Sequence, residues 1–206
     1  MQIIIRADSI EIDGYVNSVE RKSRPLMSRM GKFVERICKG AFKRSLDRDD
    51  NVQLLLNHNP SRVLASTKDG NLELTEDNIG LRARATIADP EVITKARNGD
   101  LTGWSFGFMD RDVEQTRDEY NMPLRNVRDL DLKEVSLLDR SKTPAYDGTL
   151  ISVRADESEM FYGDSFVDEI NVRELTETPT EPEQPEKVDK DINYDEFEKL
   201  ISDMKS

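Results

Sequence analysis

Three short stretches carry side chains from which a hydrolytic site could be built. The chain's single histidine, His58, stands in LLLNHNPSRVLA, directly after a continuous apolar run. A rigid strand ending there would deliver a polar side chain to a loop edge, a good place for a catalytic group. The alternative is an exposed turn residue between two asparagines. The second stretch is Asn98-Gly99-Asp100-Leu101-Thr102-Gly103-Trp104-Ser105-Phe106-Gly107-Phe108. It sets Ser105 between two aromatics, with glycines at 103 and 107 removing side chains where a peptide or another backbone must come close. The alternative is an aromatic-rich core strand that tolerates one serine. The spacing Gly103–Ser105–Gly107 matches a nucleophile elbow as a pattern. That motif needs a strand-turn-helix context, and the residues that follow stay strand-like, which excludes an α/β-hydrolase. The third stretch is Leu130-Asp131-Leu132-Lys133-Glu134-Val135-Ser136-Leu137-Leu138. On a regular strand Glu134 shares its face with Leu132, Ser136 and Leu138. An acid on a mainly apolar face costs free energy unless it is paired, so Glu134 should then have a partner. The alternative is that Lys133, Val135 and Leu137 face inward and leave Glu134 in solvent.

Other chemistries find little support. Cys38, the single cysteine, cannot form an internal disulfide, which fits a reducing cytosol, and is read as a packing residue rather than a nucleophile. One histidine and one cysteine without clustered spacing give no metal site, and no cofactor is expected. Residues 155–206 hold 17 Asp and Glu against 5 Lys and Arg, which accounts for the whole net charge of −12. The remaining 154 residues are electrically balanced, with no basic excess for nucleic acid or an anionic membrane surface. No apolar run approaches the ~20 residues of a membrane-spanning helix, and MQIIIRADSIEID does not read as a signal peptide.

The elements that must position these residues are mostly short strands. Strand patterns are expected over residues 10–19, 32–37, 52–56, 64–67, 72–75, 81–87, 102–109, 127–130 and 132–138. Residues 20–31, charged and turn-rich, are expected to form a mobile loop. Helices are expected over residues 41–46 and 90–97, the second with Asp89 as N-cap and Pro90 in its first turn. Many short strands with turn signals favour a barrel or sandwich over a parallel doubly wound sheet. Residues 155–190 form an acidic linker, and within it residues 176–190, TETPTEPEQPEKVDK, alternate acids, threonines and prolines and are expected to be disordered. Beyond it Tyr194, Phe197, Ile201 and Met204 make a helical stripe over residues 191–206, suited to docking on a scaffold or a second copy. A domain of residues 1–154 precedes both.

Glu35-Arg36-Ile37-Cys38-Lys39-Gly40-Ala41-Phe42, Leu55-Leu56-Asn57-His58, Gly99 through Phe108, Leu132 through Leu138 and Pro144-Ala145-Tyr146 together resemble the caudovirus prohead protease family. Their order and spacing match across residues 10–153. The resemblance implies a herpesvirus-protease-like fold, a β-barrel ringed by helices. It implies a serine endopeptidase working in the host cytoplasm inside the assembling prohead. Its substrates would be the scaffolding protein or capsid precursor and the protease itself, with self-association in the prohead. The Asn-His and Ser-Phe-Gly-Phe pieces carry the catalytic base and nucleophile onto His58 and Ser105. Herpesvirus proteases are similar in using a second histidine, which this chain lacks. An acid is the natural replacement, because it fixes the imidazole tautomer and stabilises the imidazolium. Glu134 lies where the family's third residue is expected, with Asp131 and Asp139 as competitors. By looser analogy, N–H groups of residues 140–142 would receive the oxyanion. Two other readings stay open: an inactive protease body acting as an assembly factor through its acidic tail, and a small β-barrel binding module.

Overall fold

The computed structural model describes residues 1–28, 31–49, 51–141, 154–155, 158–162 and 170–175. All belong to one unit, Met1–Thr176. Thr143, Pro144, Ala145 and Tyr146, the Pro- and Thr-rich run from residue 176, and the stripe at residues 194–204 lie outside the described residues.

Among the described residues the chain is mainly β, in two sheets with two helices. The first sheet contains β1 (Gln2–Ile5), β2 (Ile10–Ser18), β7 (Leu72–Glu76), β8 (Gly80–Ile87) and β13 (Asn171–Glu174), ordered β13-β1-β2-β8-β7. In β8 the period-2 pattern is plain: Leu81, Ala83, Ala85 and Ile87 are buried while Arg82 and Arg84 point outward and bind Asp13. The second sheet contains β3 (Leu26–Ser28), β4 (Gly31–Ile37), β9 (Leu101–Arg117), β10 (Pro123–Asp139), β11 (Arg154–Ala155) and β12 (Ser158–Tyr162), ordered β11-β12-β9-β10-β4-β3. It also takes in β5 (Gln53–Leu56), which pairs β10, and β6 (Asn59–Ser66), which pairs β5. Among the described residues these pairings close no ring, so the expected barrel is seen as two open sheets.

Apolar side chains from both sheets make one core. Ile3, Ile5, Ile10 and Ile12 come from the first sheet, Trp104, Phe106, Phe108, Val135 and Leu137 from the second. Phe106 stacks on Phe108 with ring centroids 5.4 Å apart, and Phe42 meets Phe106 edge-on at 5.3 Å. Gly14 of β2 lets the two layers approach: a Cβ there would lie 2.9 Å from Trp104 Nε1. The helices are α1 (Ala41–Arg48) and α2 (Pro90–Arg97). Asp89 caps α2 by accepting from the N–H groups of Glu91 and Val92, as its sequence position suggests.

Three elements depart from expectation. Residues 20–31 contribute β3, hydrogen-bonded to β4, because Leu26 buries its side chain and pairs with Phe33. Gln2–Ile5, for which no element was expected, form a strand, β1. β9 and β10 are each 17 residues long, joining what read as separate short strands into one hairpin. Its outer part carries charge on both faces, which hides a strand from any reading based on alternation.

Candidate active site

Chain geometry at His58 begins with the turn between β5 and β6. These strands are antiparallel with Leu56 paired to Asn59, leaving Asn57 and His58 as a two-residue loop. Both have positive φ, 55° and 57°, as a type I′ hairpin turn requires. Asn and His are the side chains that tolerate this region best after glycine, yet each still costs about 1 kcal/mol. Strain of this kind persists where the surroundings over-determine it. Here β10 does so. The Asn57 N–H donates to Leu137 O at 2.9 Å, the Asp139 N–H donates to Asn57 Oδ1 at 3.0 Å, and the His58 N–H donates to Ser136 Oγ at 2.9 Å.

The same strand supplies an acid. His58 Nδ1 lies 2.6 Å from Glu134 Oε1, and Ser136 Oγ donates to Glu134 Oε2 at 2.8 Å. Both carboxylate oxygens are therefore engaged, although the residue is only 6% exposed. With the carboxylate ionised, Nδ1 carries the proton and Nε2 is left as the acceptor.

How Glu134 reaches this position corrects the reading of its strand. Leu132 pairs with Phe108, but Glu134 pairs with Gly107, so Lys133 is an extra residue in the ladder. This β-bulge reverses the parity of the strand. Leu130 and Leu132 before it, and Val135 and Leu137 after it, all enter the core. Glu134 thus does not share a face with Leu132. It stands with Ser136 on the opposite face, buried beneath the histidine turn and not in solvent. The N–H of Leu132, just before the bulge, donates to Ser45 Oγ of α1 at 2.7 Å. The signal was present in the sequence: Lys133-Glu134, two polar residues in succession, interrupts the alternation.

Ser105 belongs to the same face. Its cross-strand partner in β10 is Ser136, and Gly107 faces Glu134 while Gly103 faces Leu138. Directly opposed residues in an antiparallel pair have Cα atoms ~5 Å apart, so Ser105 sits one strand spacing from the residue that binds both the His58 backbone and Glu134. Its own aromatic neighbours point the other way, into the core, and its face-sharing neighbours on β9 are glycines. Ser136 is 0% exposed and spans the His58 N–H and Glu134 Oε2, which commits its hydroxyl to the frame of the site. Ser105 is 3% exposed.

The competing acids have other commitments. Asp131 is bound by Arg48 and Arg111. Asp139 pairs with Lys95 at 3.0 Å and accepts from the Ser141 N–H and hydroxyl. Burial alone would raise its pKa, but the hydrogen bonds from Ser141, Lys95 and Asn57 outweigh that and hold it far below the usual carboxylate range. An acid so placed buttresses the turn through Asn57. Beside it lies a polar cavity of ≈ 530 Å³, lined by His58, Asn59, Arg62, Glu91, Lys95 and Asp139 among others. Of the N–H groups considered for an oxyanion, that of Arg140 donates to Asp100 O and that of Ser141 to Asp139; Lys142 lies outside the described residues.

Cys38 is half-buried, and burial pushes its thiol pKa up, away from thiolate chemistry. Among the described residues no group of acids, His and Cys has the geometry of a metal site, and no helix is long and apolar enough to cross a membrane.

Against known proteins, the model of one family, described as caudovirus prohead serine protease, matches residues 2–162. No curated protein and no solved structure matches.

Proposed function

The chain belongs to the caudovirus prohead serine protease family, and from that premise we propose that it is a prohead maturation endopeptidase whose working residues are Ser105, His58 and Glu134. The observation that carries the assignment is the 2.6 Å contact between His58 Nδ1 and Glu134 Oε1 on the sheet face that also bears Ser105. Ser105 Oγ attacks the scissile carbonyl as His58 Nε2 takes its proton, and the imidazolium that forms is stabilised by Glu134. The imidazolium then protonates the leaving amine, and water repeats the sequence to free Ser105 from the acyl group. The herpesvirus-protease-like barrel remains part of the proposal, with the two sheets as its walls.

The substrates are the scaffolding protein or scaffold-like segment of the capsid precursor, inside the assembling prohead in the host cytoplasm. The chain's own segment between about residues 155 and 190 is a further substrate, with the acidic Pro-rich run from residue 176, beyond the paired strands β12 and β13, as the favoured stretch. The segment at residues 191–206 docks on the scaffold or a second copy. Intact-mass measurement that finds an active protein persistently full-length would remove the self-cleavage.

The test is labelling by a serine-reactive fluorophosphonate, on the isolated protein and on proheads, followed by peptide mapping. Label at Ser105 that disappears in S105A and H58A supports the reading. Cleavage of scaffold by either variant at the wild-type rate overturns it. A second reading, a non-enzymatic assembly factor, is favoured by the near-complete burial of Ser105; it predicts no label even on proheads.

A further inference from the structure

We propose that Ser136 is a positioning residue, whose hydroxyl sets both the tautomer of His58 and the orientation of Glu134. The inference rests on the hydrolytic reading above but draws on contacts that the reading does not use.

A hydroxyl has one proton to donate and two lone pairs. The His58 main-chain N–H can only donate, so Ser136 Oγ must accept from it, at 2.9 Å. The Ser136 proton is thereby left for Glu134 Oε2, at 2.8 Å. With Oε2 occupied, Oε1 is the oxygen that meets His58 Nδ1, at 2.6 Å. These contacts close a ring in which the backbone and the imidazole of one residue are tied to the same carboxylate, one directly and one through Ser136. The residue is 0% exposed, so no water stands ready to replace the hydroxyl. A buried carboxylate that loses one of its donors will rotate to find another. In an alanine variant Glu134 and the strained turn would each be released from the other.

The chain has one histidine, so a ¹⁵N spectrum of the ring reports this site alone. In the wild type the ring nitrogens should show a protonated Nδ1 and an unprotonated Nε2. In S136A the signals should move toward the Nε2–H tautomer that free imidazole favours. Loss of a hydrogen bond to a charged group corresponds to a ~10- to 100-fold fall in the fluorophosphonate labelling rate of Ser105. S136T keeps the hydroxyl and should keep the wild-type tautomer. Amide dispersion reports whether each variant is folded. Unchanged ring shifts and labelling in folded S136A overturn the proposal, as does a folded S136T that behaves like alanine. Wild-type protein with the Nδ1–H tautomer but no label at Ser105 in any form would sink the hydrolytic reading instead, and leave the tautomer comparison intact.

Discussion

Replacing Glu134 by glutamine is the sharpest perturbation the site offers, because it removes a charge while keeping size and one acceptor. The Nδ1···Oε1 distance of 2.6 Å puts the centres of imidazolium and carboxylate ~4 Å apart. At an effective dielectric of ~20 their attraction is ~4 kcal/mol, or a factor of ~10³ in rate. The amide adds a second fault. If its oxygen faces Nδ1, its NH₂ faces Ser136 Oγ, where a proton acceptor is needed. If it is turned about, the NH₂ faces Nδ1 and forces the proton onto Nε2. In established triads the corresponding amide swap costs ~10⁴. We therefore expect E134Q to lower the second-order rate of Ser105 phosphonylation ~10³- to 10⁴-fold, with a thermal midpoint showing the protein still folded. A rate within ~10-fold of wild type would refute the reasoning, whatever the variant's stability. D139N is the matched control and should stay within ~3-fold, since Asp139 is held by Lys95, Ser141 and Asn57 while Glu134 meets the ring; the reverse pattern would make Asp139 the third residue.

The remaining expectations concern stability. Asp139 is held below its ordinary value of 3.8 in the folded chain, so its contribution is present above about pH 4 and is lost as pH falls below it. Urea denaturation from pH ~7 to ~3 should show D139N about 1–3 kcal/mol less stable at neutrality, with the gap closing in acid. Gly14→Ala places a Cβ 2.9 Å from Trp104 Nε1 and 3.2 Å from Met1 Cα, and should cost about 1–3 kcal/mol. Calorimetry would read that as a fall of roughly 2 to 12 °C in Tm, and an unchanged midpoint would show the two sheets can part freely at this point. Val135→Asp, which turns an acid into the core one residue from Glu134, should abolish folding; a soluble, folded variant would mean the bulge at Lys133 can shift register.

Part of the candidate site is legible before any coordinates. Residue type marks His58, Ser105 and Glu134 as candidates, the family resemblance implies their roles, and the need of a buried acid for a partner agrees with the contact between Glu134 and His58. Helix boundaries follow from Asp89, Pro90 and Gly40, whose preferences are local. What escapes is set by pairing at a distance. The turn at Asn57-His58 contains no glycine, so its left-handed backbone is seen only once β6 is placed against β5. The bulge at Lys133 is a property of two strands, not one, and assigning faces by regular alternation put Glu134 beside Leu132 when it stands beside Ser136. The long arm of β9 and β10 escapes for a different reason. On β9 the residues from Asp110 to Arg117 are exposed apart from Val113, so it is the ladder to β10, where Leu124 and Val127 are buried, that keeps this arm extended.

The strand that carries Glu134 and Ser136 is also the last of the long strands to leave the ribosome. A nascent fragment ending at β9 already holds the nucleophile and the imidazole. It lacks the carboxylate that orients the ring and the Ser136 hydroxyl and Leu137 carbonyl that receive the turn's N–H groups. β10 must slide in parallel beside β5 across some 80 intervening residues before the histidine is set. On the proposed reading, a nascent chain that has not yet released β10 is thus unable to digest its neighbours, and hydrolytic competence waits for that strand.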